Sequence, residues 1–255
     1  MIDINFDFTT DSPGYWDGFW QRGDGLGEGG SDPDKASPTL RTYHQMLWSK
    51  PLPNGEKMEL QKGKWADYDY LIWKDMRFAS DSIIVGFRYY NYRKIIDQVF
   101  ERVGDYKSYY EKLIRKSYSI GGTIIFPKHP GSMNQNKGTN KIISDRWDLT
   151  LECIRRYYNG EDSPLYKTIQ KDKEFFDLFV DFKGYVDFFF LQDCVSDDYS
   201  KVDIWCGDAG FTKSGLPESV DEYFDFIKQE YDFLDKRNER IKSNYLIFNS
   251  LTKVD

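Results

Sequence analysis

The chemistry-bearing side chains of this chain are unevenly spaced. The densest group lies in IIFPKHPGSMNQNKGTNKIISDRWDLTLECIRRYY, residues 124–158. Lys128, His129, Asn134, Gln135, Asn136, Lys137 and Arg146 fall in or beside a loop there, between a β-branched run ending at Pro127 and a segment with helical periodicity. Such a loop is a preferred ligand position: the first N–H groups of a helix lack intrahelical acceptors and sit at the positive end of its dipole. Thr139 or Asn140 can cap the helix. Lys128, Lys137 and Lys141 supply charge, and the three amides can read a ligand's edges. Arg146 can point back as a clamp, and His129 can exchange a proton near neutral pH. The expected ligand is anionic: a small molecule, a nucleotide or a single-stranded nucleic acid. The pattern has low specificity, because neither G-x-x-x-x-G-K-[ST] nor G-x-G-x-x-G is present. The competing account is a solvated loop whose amides satisfy its own backbone.

The helix after the loop offers a rival chemistry. Asp145, Asp148 and Glu152 share a polar stripe and could hold Mg²⁺ or supply a general base, as in a carboxylate-based metal-dependent hydrolase. Against this stands an ordinary wet helix face, with Glu152 paired to Arg155 or Arg156. Asp181 and Asp187 lie in a segment too apolar for unpaired charges and call for partners. With two histidines and three cysteines, none in a C-x-x-C pair, the chain gives no basis for a His/Cys zinc site. The acids Asp24, Glu28, Asp32 and Asp34 miss the calcium-loop spacing. There is no G-x-S-x-G, and Cys153 reads as packing. No catalytic residue, metal or cofactor is assigned.

These residues need a scaffold. A chain of 255 residues buries roughly 70% of its unfolded surface without staples, and no linker divides it. The expected architecture is one α+β domain: a small, largely antiparallel sheet packed against several amphipathic helices, with a long C-terminal helix. Residues 1–36 read as an irregular, Gly-rich segment. SPTLRTYHQMLWSK opens a helix, with Ser37 capping and Pro38 in the first turn. His44 lies beside its apolar face, with no partner visible in the sequence. KMELQ, YDYLIWK, SIIVGFRYY and GGTIIFP read as strands, and KVDIWC as a last one. YRKIIDQVFERV and DYKSYYEKLIRKSYS read as helices. The span from about Lys141 to Tyr158 reads as another, with Trp147, Leu151, Ile154 and Tyr158 on one face. DKEFFDLFVDFKGYVDFFFLQDCV fits a buried helix broken near Gly184, or a helix followed by a strand; periodicity alone does not separate the two, and the helix is favoured. Residues 218 to about 242 read as the final helix.

Charge and composition bound the function. Net charge is −7, yet residues 82–143 carry 11 Lys or Arg against 4 Asp or Glu, and residues 172–235 carry 17 acids against 5 bases. The acidic total argues against tight non-specific duplex binding, while the asymmetry leaves a basic site open. It also supports a second function class, a non-enzymatic interaction module whose acidic C-terminal helices meet a basic partner or one another. Aromatic residues make up 18% of the chain, which reads as core ahead of stacking surfaces. The odd cysteine count, the lack of a signal-peptide pattern and the lack of an apolar run near ~20 residues point to a cytoplasmic protein without a membrane span.

DRWDLTLECIRRYYNGEDSPL and FVDFKGYVDFFFLQD, with GYWDGFW and ASPTL, resemble an uncharacterised family of bacterial proteins of unknown function. The resemblance runs over most of the chain. It implies a bacterial, cytoplasmic protein and carries no activity, cofactor or catalytic residue.

Overall fold

A computed structural model describes residues 1–16, 31–65, 68–83, 94–137, 141–206, 211 and 217–251. The architecture is α+β, with four strands in one antiparallel sheet and helices around it. Two short helical pieces come first. Asp32 caps α1 (Pro33–Ala36) by accepting from the Asp34 amide. Ser37 caps α2 (Pro38–Trp48), its hydroxyl accepting from the Leu40 amide, with Pro38 where its missing N–H costs nothing. Leu40, Tyr43 and Leu47 bury one face of α2, as their spacing requires.

The sheet is a meander in the order β1-β2-β3-β4, formed by β1 (Gln61–Trp65), β2 (Tyr68–Trp73), β3 (Met76–Ser82) and β4 (Thr123–Pro127). Two of the expected strands are displaced. KMELQ enters the ladder only at Gln61, although Met58 and Leu60 are buried. The third strand is Met76–Ser82, and the expected run over residues 84–90 lies outside the described residues. The strand after the hairpin was hidden because MRFASDS lacks the β-branched density that marks a strand. Lys74, with φ of 51°, makes the turn into it. Every residue of β4 is buried, consistent with its continuous apolar run.

The helices α3 (Ile96–Val103) and α4 (Tyr106–Ser117) lie between β3 and β4 in sequence. Asp105 caps α4 through the Ser108 amide. After β4 come the single turn α5 (Met133–Asn136) and then α6 (Trp147–Tyr158), α7 (Tyr166–Lys171), α8 (Lys173–Asp177), α9 (Phe182–Phe188) and α10 (Val220–Leu251). Helix α6 starts six residues later than expected. Residue 143 is bridged in parallel to Lys137, so the approach to the helix is extended and cannot join its first turn.

The expected helix across residues 172–195 is two helices, and the break is not at Gly184. The chain reverses at Val180, with φ of 69°, and Asp181 caps α9 by accepting from the Gly184 amide at 2.7 Å. Gly184 lies inside α9, where a Cβ would sit 2.1 Å from the Phe179 carbonyl oxygen. The glycine therefore permits a close approach of backbone to helix. The rings of Phe175, Phe176, Phe179, Tyr185, Phe188 and Phe189 interlock around it with centroids 4.9–6.3 Å apart, a spacing at which ring pairs add to area burial. KVDIWC forms only an isolated bridge, Val195 to Val202. One contiguous cluster of buried apolar residues extends from Ile2 to Ile241. No described helix is long and apolar enough to cross a membrane.

Candidate functional site

The loop after β4 is drawn into three separate environments. Its first part turns at Gly131, with φ of 79°. His129 faces an oxygen acceptor on each side: Nε2 lies 2.6 Å from Asp172 Oδ1 and Nδ1 lies 3.0 Å from the Pro130 carbonyl. Burial raises the Asp172 carboxyl, and the His129 contact opposes that shift. Gln135 accepts from the Gly131 amide at 2.7 Å. The Asn136 amide donates to the Gly131 and Ser132 carbonyls and to Thr168 Oγ1. These side chains close the turn onto itself and onto α7. Lys128 stays half-buried beside them.

Arg146 goes to the core. It is fully buried at the start of α6 and forms a two-point ion pair with Asp148, also fully buried. The Asp148 carboxylate accepts from the Leu149 amide at 2.9 Å and from the Trp205 amide at 2.9 Å. The positive end of α6 thus receives its negative charge from Asp148, the second residue of the helix. Glu152 is 7% exposed and bridges Arg155 and Arg156 at 2.7 Å each. Burial works against its charge, but the bonds to Arg155 and then Arg156 prevail and hold the carboxyl below the usual range. The expected pairing of Glu152 is present, though the face is packed and not wet: residues 147–154 of α6 are all buried. Thr139 and Asn140, the expected caps, lie outside the described residues.

The third environment gathers Asn134 and Lys137 with residues from elsewhere in the chain. Lys137 Nζ lies 2.5 Å from Asp81 Oδ2 and 3.6 Å from Asp145 Oδ1. Its side chain is only 2% exposed. Burial disfavours the ammonium, but Asp81 and Asp145 outweigh it and keep its pKa above the ordinary lysine value. Asn134 Nδ2 donates to the Ser80 carbonyl at 3.3 Å, while its Oδ1 is shielded from solvent and accepts no hydrogen bond among the described residues.

Ser80 and Asp81 occupy the end of β3, paired to Ile125 and Ile124 of β4. The described ladder between β2 and β3 stops at the Leu71–Phe78 pair, so this end of β3 meets α1. Ser80 Oγ donates to Asp34 Oδ1 of α1 at 2.8 Å. It also lies 3.0 Å from His44 Nε2, and Trp48 Nε1 donates to His44 Nδ1 at 2.9 Å. That last bond fixes the tautomer. Indole is a donor only, so Nδ1 is the acceptor and the proton sits on Nε2, aimed at Ser80. The chain of bonds therefore runs Trp48 to His44 to Ser80 to Asp34. His44 cannot take a proton from Ser80, which excludes the serine-nucleophile chemistry that a Ser–His–Asp set otherwise suggests. Burial, with Arg237 adding to it, pushes His44 down to about 3. Burial raises Asp34 well above the carboxylate range, with Asp32 and Asp81 adding to it; the Ser80 bond and Lys35 oppose. Burial likewise raises Asp81, against Lys137.

Four elements thus place Asp34, Ser80, Asp81, Asn134, Lys137 and Asp145 together. Asp32 and Asp145 are the solvent-facing members, with side chains 41% and 42% exposed. The cluster can hydrogen-bond through its carboxyls, the Asn134 amide and the Lys137 ammonium. Ser80 and Asp81 were missed because their strand was missed. In the sequence Asp34 stands only among acids that miss the calcium-loop spacing. Burial raises the thiols of Cys153 and Cys206 to about 12 and lifts that of Cys194 well above its ordinary value, so these three are not poised as nucleophiles. Among the described residues no group of three or more His, Cys, Asp or Glu is arranged to hold a metal ion.

The description "Family of unknown function (DUF6994)" matches residues 2–241. The chain belongs to that family. No curated protein and no solved structure matches the chain.

Proposed function

We propose that the protein binds a small polar ligand rich in hydrogen-bond donors, an amine or a polyol, at the cluster of Asp34, Asp81, Asn134, Lys137 and Asp145. The observation that carries this reading is the shielded, unpartnered Asn134 Oδ1 beside carboxyls that hold protons above their ordinary range. A buried polar atom without a partner is uncommon in folded proteins. Carboxyls raised by burial and by neighbouring charge recur at functional positions. The ligand favoured here differs in sign from the anion expected of the loop: the three carboxyls of Asp34, Asp81 and Asp145 and an amide oxygen surround the ammonium of Lys137, which Asp81 and Asp145 already share. The test is thermal stabilisation by a panel of polyols, polyamines and nucleotides. A ligand at 100 times its dissociation constant adds about 2.7 kcal/mol. An amine or polyol should raise Tm in the natural protein and not in Asn134→Ala. Stabilisation by nucleotides alone, or by no member at millimolar concentration, overturns the reading.

A further inference from the structure

A concavity lies between α3 and the start of α10. It is a cleft of about 490 Å³ lined by Ile95, Gln98, Glu101 and Arg102 from the α3 side and by residues 218–221 from the α10 side. Ile95, Gln98, Glu101 and Arg102 share one face of α3 by their spacing. Helix starts ordinarily welcome anions, but this one is already served. Ser219 Oγ accepts from the Glu222 amide at 3.2 Å, and Glu222 Oε2 accepts from the Glu218 amide at 2.7 Å.

The charge of the lining points the other way. Glu101, Glu218 and Asp221 face one base, Arg102, and that base is already paired with Asp221 at 2.5 Å. Among the described residues neither Glu101 nor Glu218 has a cationic partner, and both are exposed. Beneath them Ile95 is 4% exposed and Val220 packs on the core, giving an apolar floor. Carboxylates around an apolar floor match a side chain with an alkyl stem and a cationic head. On the α10 side the flanking sequence is acidic, with 17 acids against 5 bases over residues 172–235, whereas the α3 side lies in the basic stretch of residues 82–143.

We propose that this cleft docks a lysine- or arginine-bearing segment of a partner protein. The cleft takes the cationic heads at Glu101 and Glu218 and the alkyl stems against Ile95 and Val220. The test is calorimetric titration with a short arginine–lysine peptide in the natural protein, in the Glu101→Gln/Glu218→Gln double variant, and in a Glu174→Gln/Asp197→Asn double variant that removes the same charge from exposed positions elsewhere. The expected result is at least tenfold weaker binding in the first variant and less than twofold change in the second. Binding should also weaken as salt rises. Equal loss in both variants would reduce the effect to net charge and overturn the proposal, as would no binding at millimolar peptide. Spermine binding as tightly as the peptide would assign the cleft to a small polyamine and overturn the partner.

Discussion

The guanidinium of Arg237 grips the carbonyl of Phe189, with Nε at 3.2 Å and Nη2 at 3.1 Å. Phe189 is the C-cap of α9, so a cation sits where the helix dipole is negative. Nη1 of the same group reaches the Gly121 and Thr123 carbonyls at 2.6 and 2.9 Å, tying α10 to the entrance of β4. Lys50 serves the preceding carbonyl: Nζ donates to Phe188 at 2.6 Å and lies over the rings of Phe190, Phe188 and Trp48 at 3.9, 4.4 and 5.1 Å. Burial and Arg237 push the amine of Lys50 down to about 7, while the rings and the carbonyl favour its ammonium form.

Removing Arg237 leaves three buried carbonyls without their donor. Arg237→Ala is expected to cost on the order of 3 kcal/mol or more. Arg237→Lys should fall between the two, since it keeps the charge and loses the planar fork. Urea denaturation of the three proteins checks the order.

His44 should be the Nε2–H tautomer and should stay neutral as pH falls to about 4, because its folded pKa is about 3. Nitrogen-15 NMR of the ring reads both properties. A base with a lowered folded pKa loses stability as pH drops below its unfolded value, about 6.5. The natural protein should therefore lose up to about 1.4 kcal/mol per pH unit between about 6 and 3 relative to His44→Gln. An Nδ1–H tautomer would contradict the direction of the whole bond chain.

Asp34 and Asp81 act with the opposite sign. Their folded carboxyls hold protons more tightly than the unfolded ones. Their contribution to stability is present at acid pH and falls as pH rises from the ordinary carboxylate value toward the raised one. Asp34→Asn keeps an acceptor for Ser80 and removes one ionisation. Its stability relative to the natural protein should increase from pH 4 to pH 8, read by denaturation at each pH.

Gly184 and Gly160 separate two reasons for glycine. Gly184→Ala brings a methyl against the Phe179 carbonyl oxygen and should cost about 2–3 kcal/mol. Gly160, with φ of 70°, has open space around its missing Cβ, so Gly160→Ala should cost only about 1 kcal/mol of backbone strain. Equal losses would mean that the α8–α9 contact is slack.

The sequence by itself determined the local pieces. Ser37 with Pro38, the Leu40, Tyr43 and Leu47 spacing, the run into Pro127 and the pairing of Glu152 with Arg155 and Arg156 all follow from interactions within one turn or one strand, and such interactions are written in neighbouring residues. Tertiary structure decided what those pieces face. Asp148 meets the Trp205 amide across 57 residues, Lys137 meets Asp81 across 56, and His44 meets Ser80 across 36. A charged side chain buried in low dielectric must find its partner wherever the fold brings one, and no periodicity records that distance. The same reasoning applies to the charge around Lys137. Lysines counted along the loop suggested an anion, whereas the acids that neutralise Lys137 come from β3 and from the stretch before α6 and were invisible until those elements met.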